Sequence, residues 1–205
     1  MVVTYPIKRS LYVNLTNRCP CDCVFCLRNN GSGVYGSGPL WLEREPTVEE
    51  VCESIGSRDP GSFDEIVFCG YGEPTERLDD LLLVAKWIRS ELPGVKTRIN
   101  TNGLSDLVNS RHTAKDLGGL VDCLSISLNA PDEDEYERMC RPRFGRKSYK
   151  AMLDFTASCR GIIPEVVMSV VGHPVMSPEG IERCRAIAES VGASLKVRPF
   201  EGRDG

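Results

Sequence analysis

Histidine is scarce in this chain: His112 and His173 are the only two in 205 residues. Neither lies near the cysteine-rich stretch, so a mixed cysteine–histidine zinc site lacks its second half. No excess of basic charge is present either. The net charge is −4, with 25 lysines and arginines scattered among 29 acids, which argues against an electrostatic grip on DNA or RNA but not against recognition of a nucleotide. No window approaches eighteen apolar residues, and the N-terminal MVVTYPIKRSLYVNL lacks the charged segment, long apolar run and cleavage site of a leader. These absences predict a soluble, cytoplasmic protein with no membrane partner. At this length and 41 % hydrophobic content, residues 1–205 are expected to form a single domain.

Cysteine, by contrast, is abundant, with ten in the chain. Secreted disulfide scaffolds are usually much shorter and carry a leader, so that reading fails. Six of the ten, Cys52, Cys69, Cys123, Cys140, Cys159 and Cys184, stand alone in apolar or helical contexts and read as small buried hydrophobes. The other four crowd into CPCDCVFC, Cys19 to Cys26. Structural zinc usually draws on two separated pairs, and here there is no second pair. A thioredoxin-type pair, Cys23 and Cys26, lacks the helix-opening context and leaves Cys19 and Cys21 without a role. An iron–sulfur cluster suits closely spaced thiolates best.

Hydrophobic patterning alternates strand with helix. LYVNLT (11–16) runs into the cysteines, and a glycine-rich then aromatic loop follows to about residue 46, giving a cluster loop over about 16–46. Thr47 and Glu50 have capping-box spacing ahead of an amphipathic helix. Strands are then predicted at EIVFCG (65–70), TRINTNG, VDCLSISLNA (121–130), EVVMSVVG and SLKVRPF, separated by helices at LDDLLLVAKWIRSEL, HTAKDLGGLV, DEDEYERM with RKSYKAMLDFTASCR, and PEGIERCRAIAESVG. This is an α/β chain with about six parallel βα units, short of the eight in a closed barrel of about 250 residues. A partial, open TIM-type barrel is the expectation, with an open doubly wound sheet as the competitor. In both, ligands gather at the carboxyl ends of the strands, where GYGEPT, NTNG, SLN and RPF fall.

Within CPCDCVFC, the triplet Cys19, Cys23, Cys26, with Phe25 before the last cysteine, resembles the signature of the radical S-adenosylmethionine superfamily. That resemblance implies a 4Fe–4S cluster on these three thiolates, with a fourth iron open to the amino and carboxylate groups of S-adenosylmethionine; Cys21 is then an extra thiol. GYGEP resembles the superfamily's second-strand motif, Tyr71 replacing a glycine, and implies that Gly70, Tyr71, Gly72 and Glu73 border the methionine moiety. NTNG implies the same for Asn100 and Asn102. Ser125, Ser127 and Asn129 share one face by alternation, which suits bonds to ribose hydroxyls, although polar filler of a barrel interior is the plainer reading. Arg198 joins this cofactor-binding set. NLTNRC, CVFCLRNN, LWLEREPT, SISLNAPD, RPRFG and the closing VRPF together resemble the small TatD-linked radical S-adenosylmethionine proteins over nearly the whole chain. Members of that group occur fused to or associated with TatD-type metal-dependent nucleases.

The resemblance implies that a low-potential one-electron donor such as flavodoxin or ferredoxin reduces the cluster. Reductive cleavage of S-adenosylmethionine then gives a 5′-deoxyadenosyl radical that takes hydrogen from a substrate. The loop from Arg28 to Arg44, or a partner, would complete the wall of so small a barrel. Arg28, Arg141 and His173 are the candidate substrate contacts, and arginine's fork suits an anionic substrate; Arg143 reads equally well as a surface arginine paired with an acid. Two other functions fit the thiols. One is a glycyl-radical-enzyme activase, which shares the cysteine spacing. The other is a non-catalytic iron–sulfur carrier or sensor, which leaves GYGEP without a task.

Overall fold

A computed structural model describes residues 1–30 and 36–200. One sheet holds seven strands, β1 (Thr4–Ile7), β2 (Ser10–Val13), β3 (Glu65–Phe68), β4 (Lys96–Thr101), β5 (Cys123–Ser127), β6 (Glu165–Val171) and β7 (Ser194–Arg198). Their order in space is their order in sequence, with β1 antiparallel to β2 and every later pair parallel. A doubly wound sheet needs a point at which strand order reverses, and none occurs among the described residues. Right-handed crossovers without reversal keep the helices on one side of the sheet. The result is an open part-barrel, as expected from sequence, with β1 and β7 as unjoined edges.

Alternation along the strands assigns the two faces. Leu11, Val13, Ile66, Phe68, Ile99, Leu124, Ile126, Met168 and Val170 point to the helices and form one core with Val51 and Ile55 of α1 (Val48–Gly56), Leu81, Val84 and Ile88 of α2 (Leu78–Glu91), Tyr136 of α4 (Glu133–Cys140), Met152 and Phe155 of α5 (Lys147–Cys159) and Cys184 and Ala188 of α6 (Pro178–Ser190). The residues between them, among them Tyr12, Cys69, Arg98, Asn100, Ser125, Ser127 and Ser169, face the concave side. The predicted capping box at Thr47 and Glu50 is formed in both directions and starts α1.

Three local expectations need correction. β1 was not foreseen: four residues with Pro6 among them give too short a pattern to read, and an edge strand tolerates the missing N–H. The strand expected over 11–16 ends at Val13, because Asn14 turns its side-chain amide to the Leu40 carbonyl at 2.7 Å. The helix expected at HTAKDLGGLV is instead α3 (Ser105–Asn109) followed by a 3-10 turn over Ala114–Leu117. Asp106 explains the break: its carboxylate accepts from the Thr113 N–H and hydroxyl at 2.9 and 2.8 Å, and Ser110 takes a left-handed conformation between them.

Candidate functional site

The chain between β2 and α1 leaves the sheet and returns, and its described parts are tied down at several points. At its neck the Arg77 guanidinium, only 9 % exposed, donates from Nη1 to the carbonyls of Leu15 (2.9 Å) and Pro46 (2.7 Å), which are the two ends of the loop. Asn17 donates to the Leu42 carbonyl and accepts from its N–H at 2.7 and 3.0 Å. At the tip, the N–H groups of Asp22 and Val24 reach the carbonyls of Cys140 and Met139, at the C-terminal end of α4, and the Arg143 N–H reaches Pro20 O. Those last carbonyls of a helix have no partner within it, so the loop satisfies them. Residues 31–35 of the predicted cluster loop lie outside the described residues.

Cys19, Cys23 and Cys26 are half-buried, whereas Cys21 is buried in the core. Hydrogen bonding with Cys19 and Cys23 pushes the Cys21 thiol pKa up and lowers that of Cys19. Hydrogen bonding from Cys140, and then from Cys21, brings Cys23 down to about 4. Burial raises Cys26. Cys140 was read from sequence as an isolated core cysteine; it is buried, but it stands against Cys23, with the Asn129 amide 3.7 Å from its sulfur. No sequence signal joins it to CPCDCVFC, more than a hundred residues away, because the contact depends on where α4 ends. Phe25 packs on the core. Among the described residues no three His, Cys, Asp or Glu side chains are gathered as a site for a single ion. The donor set is nonetheless thiol-rich and partly accessible, which suits an iron–sulfur cluster.

The β3 motif acts largely on the protein itself. A Cβ on Gly70 would collide with the Asn14 side chain, and one on Gly72 with the Thr16 and Arg18 carbonyls, so both glycines allow β3 to pass close beneath the cluster loop. Tyr71 turns away into a small cluster with Tyr5 and Leu40, edge-on to Trp41 at 5.2 Å between ring centroids. Buried Glu73 accepts from Thr75 N–H (3.1 Å), Thr75 Oγ1 (2.8 Å), Thr101 Oγ1 (2.6 Å) and Asn102 N–H (2.7 Å). It therefore braces the end of β3 against the end of β4. Burial still raises its pKa, with these bonds opposing. Thr75, Thr101, Asn14 and Arg77 were not singled out from sequence, since each works through a partner far along the chain.

Asn102, held by Glu73, aims its amide at the Cys19 sulfur, 3.9 Å away. Asn100 bonds to Cys69 on the neighbouring strand. Ser125 and Ser127 face the concave side of β5, and Asn129 follows in a left-handed turn with its Oδ1 buried and without a partner among the described residues. Arg198, exposed overall, has its guanidinium within electrostatic range of Cys69, Tyr12 and Cys23. Of the cofactor-binding candidates, Glu73, Asn102, Asn129 and Arg198 thus border the strand ends near the thiols, whereas Phe25 and Tyr71 pack into apolar clusters and Ser125 lies toward the amino end of β5. Of the substrate candidates, Arg28 is occupied, donating to Asp22 (2.9 Å) and the Cys21 carbonyl (3.2 Å), and Arg141 stands 3.9 Å from the same Asp22. His173 is exposed in the turn after β6. Arg143 pairs with Glu76 at 3.2 Å.

Comparison with known proteins adds an independent view. A probable GTP 3′,8-cyclase of Methanocella arvoryzae is 32 % identical over 139 residues, 67 % of this chain and 40 % of that protein. A probable dual-specificity RNA methyltransferase RlmN of Mycolicibacterium vanbaalenii is 23 % identical over 147 residues, 65 % and 37 % of the two chains. The chain therefore spans about two-fifths of the length of the curated relatives it matches. Among solved structures, Streptococcus suis SuiB bound to S-adenosylmethionine superposes with a TM-score of 0.70 at 14 % identity, over 95 % of this chain and 41 % of that one. A radical SAM methyltransferase from Sphaerobacter thermophilus gives 0.66 at 17 % identity, over 98 % and 70 %. Residues 13–187 match the Radical SAM superfamily as a whole. With the match running from β2 through most of α6, the chain belongs to the radical SAM superfamily, whose members use a 4Fe–4S cluster and S-adenosylmethionine.

Proposed function

We propose that this protein is a radical SAM enzyme in which Cys19, Cys23 and Cys26 hold the cluster. A cluster held there and reduced by a low-potential donor such as flavodoxin or ferredoxin would supply reductive cleavage of S-adenosylmethionine and, through it, hydrogen abstraction from a substrate. The observation that carries the assignment is the unequal burial of the four thiols. Cys21 is buried in the core, whereas the other three are half-buried. Asn102 and Asn129 present amides at the same strand ends, and Glu73 holds Asn102 in place. Arg198, with no ion pair among the described residues, supplies positive charge on the concave side. Arg28 and Arg141, engaged with Asp22, position the cluster loop rather than offer free anion contacts.

The sequence resemblance extends this reading to the TatD-linked group and to association with a TatD-type nuclease in the cytoplasm. A non-catalytic carrier or sensor would use the thiols alone. Anaerobic reconstitution with iron and sulfide, followed by S-adenosylmethionine and a strong reductant, separates the readings. Four irons per chain with 5′-deoxyadenosine released supports the enzyme; a cluster that leaves S-adenosylmethionine unbound and intact supports the carrier.

A further inference from the structure

A cavity of about 370 Å³ opens at the amino ends of the strands, the opposite end of the part-barrel from the cysteines. That volume is within the range of small-molecule sites. Its wall includes two rungs of the concave face, Arg98–Cys123–Glu165 and then Ser125–Val167, which are register partners on β4, β5 and β6. Six ionisable residues line it besides Cys123: Glu65, Lys96, Arg98, Asp122, Glu165 and Lys196. Burial and the nearby Glu165 push the Cys123 thiol up to about 11, so it adds no charge at neutral pH.

Three of the six are already compensated. Arg98 pairs with Glu65 at 3.0 Å and reaches the Tyr12 hydroxyl at 3.3 Å. Asp122 pairs with Arg89 at 2.7 Å and accepts the Thr97 N–H. Lys96, Lys196 and Glu165 differ: they line the same cavity yet form no ion pair with one another or with any other described residue. The Arg98 Nε is also buried without a partner. All three side chains are exposed, so two positive charges and one negative charge are free to meet a ligand in the cavity. We infer that the cavity binds a small molecule carrying two anionic groups and one amino group, the anions meeting Lys96 and Lys196 and the amine meeting Glu165. An acidic α-amino acid has this charge pattern. The inference is independent of the radical chemistry, because it uses none of the thiols and can be tested without turnover.

Calorimetric titration of the full, cluster-loaded chain with L-glutamate tests it, with glutarate, which lacks the amine, as the control. L-glutamate should bind saturably, and Lys96→Met or Lys196→Met should each weaken it about tenfold or more, as expected for loss of one charged contact. Wild type should prefer L-glutamate to glutarate, and Glu165→Gln should erase that preference while far-UV circular dichroism stays unchanged. No saturable binding below about 10 mM, or binding indifferent to both lysine changes, overturns the site. Equal affinity of wild type for glutarate and L-glutamate overturns the role of Glu165.

Discussion

Cys21 lies between two thiols that its own proton favours as thiolates. Replacing it by alanine should leave iron content near wild type while costing about 1 kcal/mol of stability for the small cavity left in the core; Cys19→Ala, Cys23→Ala or Cys26→Ala should each lose the cluster. Iron and sulfide assays beside urea unfolding check both halves. Glu73 predicts a pH effect. Its folded pKa lies above the ordinary carboxylate value because burial outweighs four hydrogen bonds. Such a group favours the folded state most below its unfolded pKa, and that contribution is lost as pH rises through the raised folded value. Unfolding of the cluster-free protein across a pH series should show this decline in wild type and not in Glu73→Gln. The same substitution places an amide donor or loses an acceptor opposite the Asn102 N–H, so it should weaken S-adenosylmethionine binding measured on reconstituted protein without removing iron. Residues of this kind divide cleanly by how legible they were. CPCDCVFC and GYGEP are contiguous and could be read directly. Cys140 and Thr101 act on those motifs only because distant strand and helix ends converge, and no single-sequence pattern marks that convergence.

The loop between β2 and α1 behaves as an element defined by its fastenings rather than by secondary structure. Arg77 joins its two ends through the Leu15 and Pro46 carbonyls, with Asp80 2.6 Å away to balance the charge. Arg77→Ala leaves two carbonyls without their donor and should cost about 2–3 kcal/mol, read as a shift in the urea midpoint; lysine should recover only part, since one ammonium cannot reproduce the planar fork. The regular elements were easier to foresee. Strands carrying two-residue alternation, such as β5, and the capped helix α1 appear where their patterns fall, because local preference and burial agree there. The region after β4 did not, because the Asp106 side chain outcompetes helix continuation at Thr113. β1 is too short for any periodic signal.

Across the whole molecule, the large core lies between the sheet and its helices, and it draws only marginally on the cluster loop, through Cys21 and its neighbours. Removing iron should therefore leave the far-UV spectrum close to that of the loaded protein. Limited proteolysis of the stripped protein should cut first between residues 16 and 46, and cuts spread evenly over the helices would contradict this separation of scaffold and site. No helix of the described residues is long and apolar enough to cross a membrane. The agreement between spatial order and chain order in the sheet bears on how the scaffold could be extended as well as on its shape. Strand-helix units could be appended beside β7 without rethreading any existing connection. The same scaffold can thus be lengthened one unit at a time, each addition enclosing more of the concave face while the cysteine end keeps its place.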